Sequence, residues 1–300
     1  MSIRGGIYMA QYTYLKLLAA GFTTLQIYKI IAFAPHFLEA SKEEQSAILS
    51  HFVRQHHSKA LSIAVTLFNK LYVEKIIEKL TLDKVNFISI NDNCYPRLLR
   101  EIANPPVILY YRGNAKLLNN VSFLSVIGSR NATAYTDQAL HYLYPAFLQQ
   151  KIGIVSGLAK GADHSALKLA LQYDLPAVAV LAFGHCRHYP AITRTTRNQL
   201  EQHGLVISEY PPQTPIKKYN FPLRNRLISG ISKGVLITES EMHSGTHITL
   251  ECALDQNREV YVIPGRFYDQ LSVGNMIAAQ QGAKIVMKPE DIIDDFKLTI

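Results

Sequence analysis

Four cations in this chain stand among small residues, and that pairing is suited to holding an anion. Arg130 ends "IGSR", Lys160 lies between Gly157 and Gly161 in "SGLAKGAD", and Arg224 and Arg226 crowd "FPLRNRLISG". Glycine and serine let backbone N–H groups approach a ligand, and an arginine fork or lysine ammonium beside them supplies the countercharge for a phosphate. "HSGTH" offers Ser244, Gly245 and Thr246 where a helix should begin, another anion site. For Gly128, Ser129 and Arg130 the alternative is a plain tight turn. For Ser156, Gly157, Lys160 and Gly161 it is a strand-to-helix loop with a solvated lysine. None of these segments matches G-x-G-x-x-G or the G-K-[ST] of a phosphate loop, so the dinucleotide and ATP fingerprints are absent.

Other chemistries are less well served. Ser156 with Asp163 and His164, and Ser244 with Glu251 and His247, bring hydrolase residue types together, but neither set has a G-x-S-x-G elbow. Cys94, Cys186 and Cys252 lie far apart without a C-x-x-C, and "HCRH" at His185 to His188 lacks a second close ligand pair, so no metal site is expected. Charge points the same way as the small-residue loops. Residues 187 to 233 carry eight basic and two acidic side chains, whereas 239 to 300 carry five basic and ten acidic. Such a stretch suits a polyanion, with a solvated face as the ordinary alternative. Arginines near a helix start are poorly placed against the helix dipole unless something anionic is there. Arg224 and Arg226 stand two residues apart and do not share a helix face. One is therefore expected to reach phosphates and the other to pair with a carboxylate such as Glu209 or Glu239.

These loops need a frame. Up to about residue 85 the apolar spacing is helical, in "YTYLKLLAAGFTTLQIYKIIAFA", "SKEEQSAILSHFVRQ" and "LYVEKIIEKL", with Ser41 and Glu44 forming a capping box. A small helical bundle is predicted over 1–85. From 121 onward, short Val/Ile/Leu runs at 121 to 128, 152 to 157, 176 to 184, 205 to 210, 235 to 240 and 259 to 265 alternate with helical segments. That pattern predicts parallel strands buried on both faces, a doubly wound α/β sheet whose ligand edge is the C-terminal end of its strands. The anion-suited loops follow those ends. "FPLRNR" reaches the rim through the long connection "PPQTPIKKYN". No apolar run of about 18 residues and no secretory signal is present, so no membrane segment and a cytoplasmic location are expected.

The ordered series "GSRNAT", "IVSGLAKGADHSAL", "YP", "LVISEYPP", "FPLRNRLISGIS", "GVLITES", "SGTHITLECAL", "REVYVIPG" and "QQGAKIV" resembles the DNA-processing protein A (DprA or Smf) family from about 86 to 296. The resemblance implies an extended Rossmann-like domain over 86–300 behind a small helical domain of sterile-alpha-motif type, and no winged helix is expected after "PEDIIDDFKLTI". It implies a recombination mediator of natural transformation that binds and protects single-stranded DNA and helps load the RecA recombinase, without catalysis or a cofactor. It also implies that Arg130 contacts DNA phosphates. A family basic position after Tyr189-Pro190 is Ala191 here, with Arg194 one turn on as a substitute. A homodimer and RecA contact is implied for the region of Met276, Ile277, Ala279 and Ile285, where Ala279 is smaller than the isoleucine expected. Stacking partners for bases are offered by Phe221, Tyr219, Tyr189 and Phe267, with core packing as the alternative for each. A phosphoribohydrolase-like nucleotide enzyme is the competing reading, since "HSGTHITLE" with Glu251 looks superficially like its PGGxGTxxE segment.

Overall fold

The computed structural model describes residues 2–242 and 245–298. Two compact units make up the chain, the first running to Tyr95 and taking in Ala103–Tyr110, the second holding Pro96–Ile102 and everything from Tyr111 on.

The first unit is built on α1 (Ser2–Ala20), α2 (Thr24–Phe33), α3 (Lys42–His56), α4 (Lys59–Lys70) and α5 (Val73–Leu82). Two of the starts are fixed by capping boxes. Thr23 and Gln26 form a capping box for α2, and at α3 the Ser41 hydroxyl accepts from the Glu44 N–H at 3.3 Å while the Glu44 carboxylate accepts from the Ser41 N–H at 2.9 Å. Apolar residues at three- and four-residue spacing, such as Leu61, Ala64, Val65 and Phe68 of α4, turn inward against Leu15, Ile27, Ile30, Leu49 and Phe52. Strand β1 (Asn86–Ser89) lies beside the start of β2 (Ile108–Gly113), and the Ile90 N–H donates to the Val107 carbonyl at 3.0 Å.

The second unit contains α6 (Arg97–Arg100) and α7 (Leu117–Asn120), then β3 (Ser122–Ile127), α8 (Ala134–Gln149), β4 (Ile152–Ser156), α9 (Ala162–Gln172), β5 (Ala177–Leu181), α10 (Arg194–His203) and β6 (Leu205–Ser208). It continues through α11 (Asn220–Ile231), β7 (Gly234–Ile237), α12 (Gly245–Asp255), β8 (Glu259–Val262), α13 (Gln270–Gln280), β9 (Lys284–Ile285) and α14 (Glu290–Leu298). Five of these strands fall within the apolar runs read from the sequence, and β7 begins one residue ahead of its run. Seven strands stand in the order β6-β5-β4-β3-β7-β8-β9 and every pair is parallel. Parallel neighbours require crossovers, and the alternation of side chains along a strand shows that the sheet is covered on both faces. Leu124 and Val126 of β3 pack into a core with Leu143 and Phe147 of α8 and with Ala166 of α9. Ser125 points the other way and donates its hydroxyl to the Ile228 carbonyl of α11 at 2.8 Å. The winding direction reverses at β3, which has β4 on one side and β7 on the other. Such a reversal leaves a crevice beyond the carboxyl ends of the two strands, because their following loops depart in opposite directions.

Candidate nucleic-acid interface

The loop after β3 is fastened from three sides. The Ser129 N–H donates to the Glu239 carbonyl beyond β7 at 2.7 Å, the Ser129 carbonyl accepts from the Ala162 N–H of α9 at 3.0 Å, and the Ser129 hydroxyl accepts from the Asn131 N–H at 3.0 Å. Ser129 is buried by this work, while Arg130 extends past it into solvent. No carboxylate among the described residues forms an ion pair with Arg130. Glu239 is buried as well, and its carboxylate accepts from the Thr133 N–H at 2.8 Å, the Thr133 hydroxyl at 2.7 Å and the Thr136 hydroxyl at 2.6 Å. It thus joins β7 to the first turn of α8, where a negative charge complements the helix dipole.

Arg224 and Arg226 have separate partners. Arg224 is 4% exposed and sends its guanidinium under the sheet edge, donating to the Gly157 carbonyl at 2.7 Å and to the Val180 carbonyl. A Cβ at Gly157 would stand 2.5 Å from that guanidinium, so the flat approach requires glycine there. Burial pushes the Arg224 pKa down to about 10, partly opposed by the nearby Asp163 carboxylate. Arg224 therefore stays charged at neutral pH. Asp163, itself buried, is raised above the ordinary carboxylate value by desolvation, against the pull of Arg224. Arg226 pairs with Glu209 at 2.5 Å, one of the two carboxylates the sequence offered, and burial raises the Glu209 pKa despite that partner.

Around these anchors lies an open cleft of about 370 Å³ at the winding reversal. Its walls come from four stretches far apart in sequence: Gly128 to Asn131, Ala159 with Asp163, Phe221 and Pro222 with Arg224, Asn225 and Ile228, and Glu241 with Gly245, Thr246 and Thr249. Phe221 is half-buried at one end of the cleft, its ring 6.4 Å from Phe183 and 6.0 Å from Tyr189, and Tyr189 remains half exposed. Tyr219 is exposed with Lys217 Nζ 5.5 Å from its ring centre.

Of the expected DNA-binding residues, Gly128, Ser129, Arg130, Phe221, Arg224, Asn225, Gly245 and Thr246 line this cleft. Ser244 lies outside the described residues. Ser156 is fully buried and donates its hydroxyl to the Val126 carbonyl at 2.6 Å, and Gly157 is buried against Arg224. Lys160 is exposed beside the cleft-lining Ala159, Gly161 stands at the N-cap of α9, and Arg194 is exposed at the first turn of α10. Three of the eight basic residues between 187 and 233 serve the interior: Arg224, Arg226, and Arg197, which bonds Glu201 at 2.9 Å and the His185 carbonyl at 2.6 Å. Arg187, Arg194, Lys217 and Lys218 face solvent. Met276, Ile277 and Ala279 are half-buried on α13, and Ile285 is exposed on the edge strand β9. Phe267 is almost fully exposed.

Ser156, Asp163 and His164 do not assemble as a triad. His164 meets the Thr196 hydroxyl at 2.9 Å rather than Ser156, and Glu251 pairs with His247 at 3.7 Å on an exposed face away from the cleft-lining residues. Sequence reading did not single out Asn131, Glu241 or Thr249. Asn131 was within reach, as the neighbour of "GSR". Glu241 gave no signal, because a carboxylate has the wrong sign for a phosphate site.

Comparison with known proteins gives the arrangement a lineage. Residues 86–297 match the family model described as DNA recombination-mediator protein A. The chain is 32% identical to the DNA processing protein DprA of Streptococcus pneumoniae over 96% of its own length and 99% of that protein. It is 35% identical to DprA of Bacillus subtilis over 70% of this chain and 71% of that one. The crystal structure of S. pneumoniae DprA superposes with a TM-score of 0.83 at 31% identity, covering 95% of this chain and 97% of that chain. A DNA processing protein A from Helicobacter pylori, whose structure concerns its single-stranded DNA binding mode, superposes with a TM-score of 0.64 at 25% identity over 71% of this chain and 96% of that one. With its Rossmann-like sheet, its cleft at the winding reversal and these relatives, the chain is a member of the DNA recombination-mediator protein A family.

Proposed function

We propose that this recombination mediator grips single-stranded DNA along the cleft at the winding reversal, with Arg130 as its main phosphate contact. The observation that carries the proposal is the convergence of four distant stretches on one cleft whose outermost cation has no carboxylate partner among the described residues. The first turn of α12 at Gly245 and Thr246 adds backbone donors to the same wall. Phe221 and Tyr189 supply aromatic faces for unpaired bases, and the solvent-facing Lys217 and Lys218 extend the positive surface just before α11. The DNA binding of the H. pylori relative supports the substrate class. Lys160 and Arg194 are assigned to neighbouring phosphates. Arg224 acts from the floor of the cleft through its field, and Arg226 braces the rim.

In this reading the protein works in the cytoplasm, protects the incoming strand, and hands it to the RecA recombinase without catalysing a reaction. Met276, Ile277, Ala279 and Ile285 are its homodimer and recombinase contact, and the small Ala279 weakens the dimer.

The test is a salt titration of single-strand binding by fluorescence anisotropy. Arg130→Ala is expected to weaken binding by the same factor on every sequence and to reduce the steepness of log K against log salt by about 0.7, the share of one phosphate on a single strand. Unchanged affinity and slope would remove Arg130 from the contact.

A further inference from the structure

Two carboxylates line the cleft, and whereas Asp163 lies beside Arg224, Glu241 is not explained by a phosphate site. It is exposed, it lines the same cleft as Arg130, and no cation among the described residues pairs with it. The residue before it is clamped. The Ser240 N–H donates to the Leu271 carbonyl at 2.7 Å, the Gly274 N–H donates to the Ser240 carbonyl at 2.9 Å, and the Ser240 hydroxyl donates to Asn275 at 2.7 Å. A Cβ on Gly274 would lie 2.6 Å from the Glu241 carbonyl, so α13 approaches this segment as closely as a chain can. A carboxylate in the path of a polyanion repels phosphate oxygens and accepts only from donors. On single-stranded DNA those donors are on the exposed Watson–Crick edges of the bases.

We infer that Glu241 reads base edges in the cleft and gives the bound strand a preference for guanine over thymine. This rests on the single-strand reading above and names the part of the strand that the carboxylate meets. Guanine presents N1–H and the N2 amine side by side, a match for the two carboxylate oxygens. Adenine and cytosine present one amine beside a ring-nitrogen lone pair. Thymine presents a single N3–H between two carbonyl oxygens, which repel a carboxylate. The repulsion also orients the strand, with phosphates toward Arg130 and bases toward Glu241 and Thr249.

The experiment compares anisotropy titrations of an all-thymine oligomer, one of equal length alternating thymine with guanine, and the same one with deoxyinosine in place of guanine. It is run on the wild type, Glu241→Ala and Arg130→Ala, with and without magnesium. The wild type is expected to bind the guanine oligomer about fivefold or more tightly than the thymine one, the scale of a two-bond base contact. Deoxyinosine, which lacks the N2 amine, should fall between them. Glu241→Ala should abolish the preference and bind the thymine oligomer at least as well as the wild type does. Equal wild-type affinities, or a preference that survives in Glu241→Ala, would overturn the inference. So would thymine binding that needs magnesium only while Glu241 is present, since that would assign the carboxylate to a metal-bridged phosphate. Arg130→Ala should weaken all three oligomers alike. If it has no effect, or if the wild type binds none of them, the single-strand reading itself fails.

Discussion

Replacing Arg226 by methionine separates bracing from DNA contact. The substitution keeps the length and much of the apolar stem but removes the cation that meets Glu209 at 2.5 Å. The Glu209 side chain is 7% exposed, so it loses its partner without gaining water. Breaking a buried pair from one side typically costs about 3 to 5 kcal/mol. The lower figure, about 3 kcal/mol at neutral pH, is expected because the Arg226 side chain keeps 22% exposure and because Glu209 can escape by taking up a proton. The escape fixes the sign of the pH dependence. The folded-state pKa of Glu209 is raised by burial, and losing Arg226 raises it further. The protonated form is thus favoured in the folded protein, and its stabilising effect is complete below the unfolded value and lost as pH rises through the folded one. The gap between wild type and Arg226→Met should therefore shrink to about 1 kcal/mol near pH 4, where a neutral glutamic acid lacks only a hydrogen bond. It should widen toward neutrality. Urea unfolding followed by circular dichroism at both pH values measures it. Glu209→Gln combined with Arg226→Met should recover about 2 kcal/mol at neutral pH, as expected for directly coupled residues. The salt slope of single-strand binding should stay at its wild-type value in the double variant. A gap that is flat with pH, or a double variant with the reduced slope expected of Arg130→Ala, would refute the division of labour between these arginines.

Other consequences are equally open to measurement. Asp163→Asn mimics the protonated form of a carboxyl whose pKa burial has raised, so it should equal the wild type near pH 4 and become the more stable protein as pH climbs past the folded pKa; a relative loss with rising pH in urea melts would mean that Arg224 outweighs desolvation. Asn275→Ala strips a donor from the carbonyls of Ile237, Thr238 and Ile263, at 3.2, 2.9 and 2.9 Å, and should cost about 3 kcal/mol of stability by thermal unfolding. A loss below about 0.5 kcal/mol would show that water replaces the amide.

Much of the frame was legible because local rules set it. Strands buried on both faces must be apolar throughout, so β3 to β8 stand out as Val/Ile/Leu runs, and the capping box at Ser41 follows from four adjacent residues. The anion-suited loops were legible for the same reason, since a small residue after a strand has few other uses. What was hidden depends on distance through the fold. Ser156 and Arg130 both belong to small-residue stretches at a strand's end, but the Ser156 hydroxyl is taken up by the neighbouring strand's carbonyl. Arg224 and Arg226 look alike in sequence, yet a gap above Gly157 receives one and the carboxylate of Glu209 the other, and nothing within ten residues of either specifies that. Asn275 reads as an ordinary helical polar residue until the ends of β7 and β8 are brought to it.

The position of β7 beside β3 has a consequence for synthesis. Strand β3 acquires β4 after about 25 further residues, but its other edge is filled only when Gly234–Ile237 emerges, more than a hundred residues after β3 itself. Until then a nascent or truncated chain carries an open apolar strand edge, which is a template for pairing with other chains. Competence to hold DNA and protection from aggregation therefore arrive at the same moment of translation, since β7 both closes that edge and brings the far wall of the cleft into place.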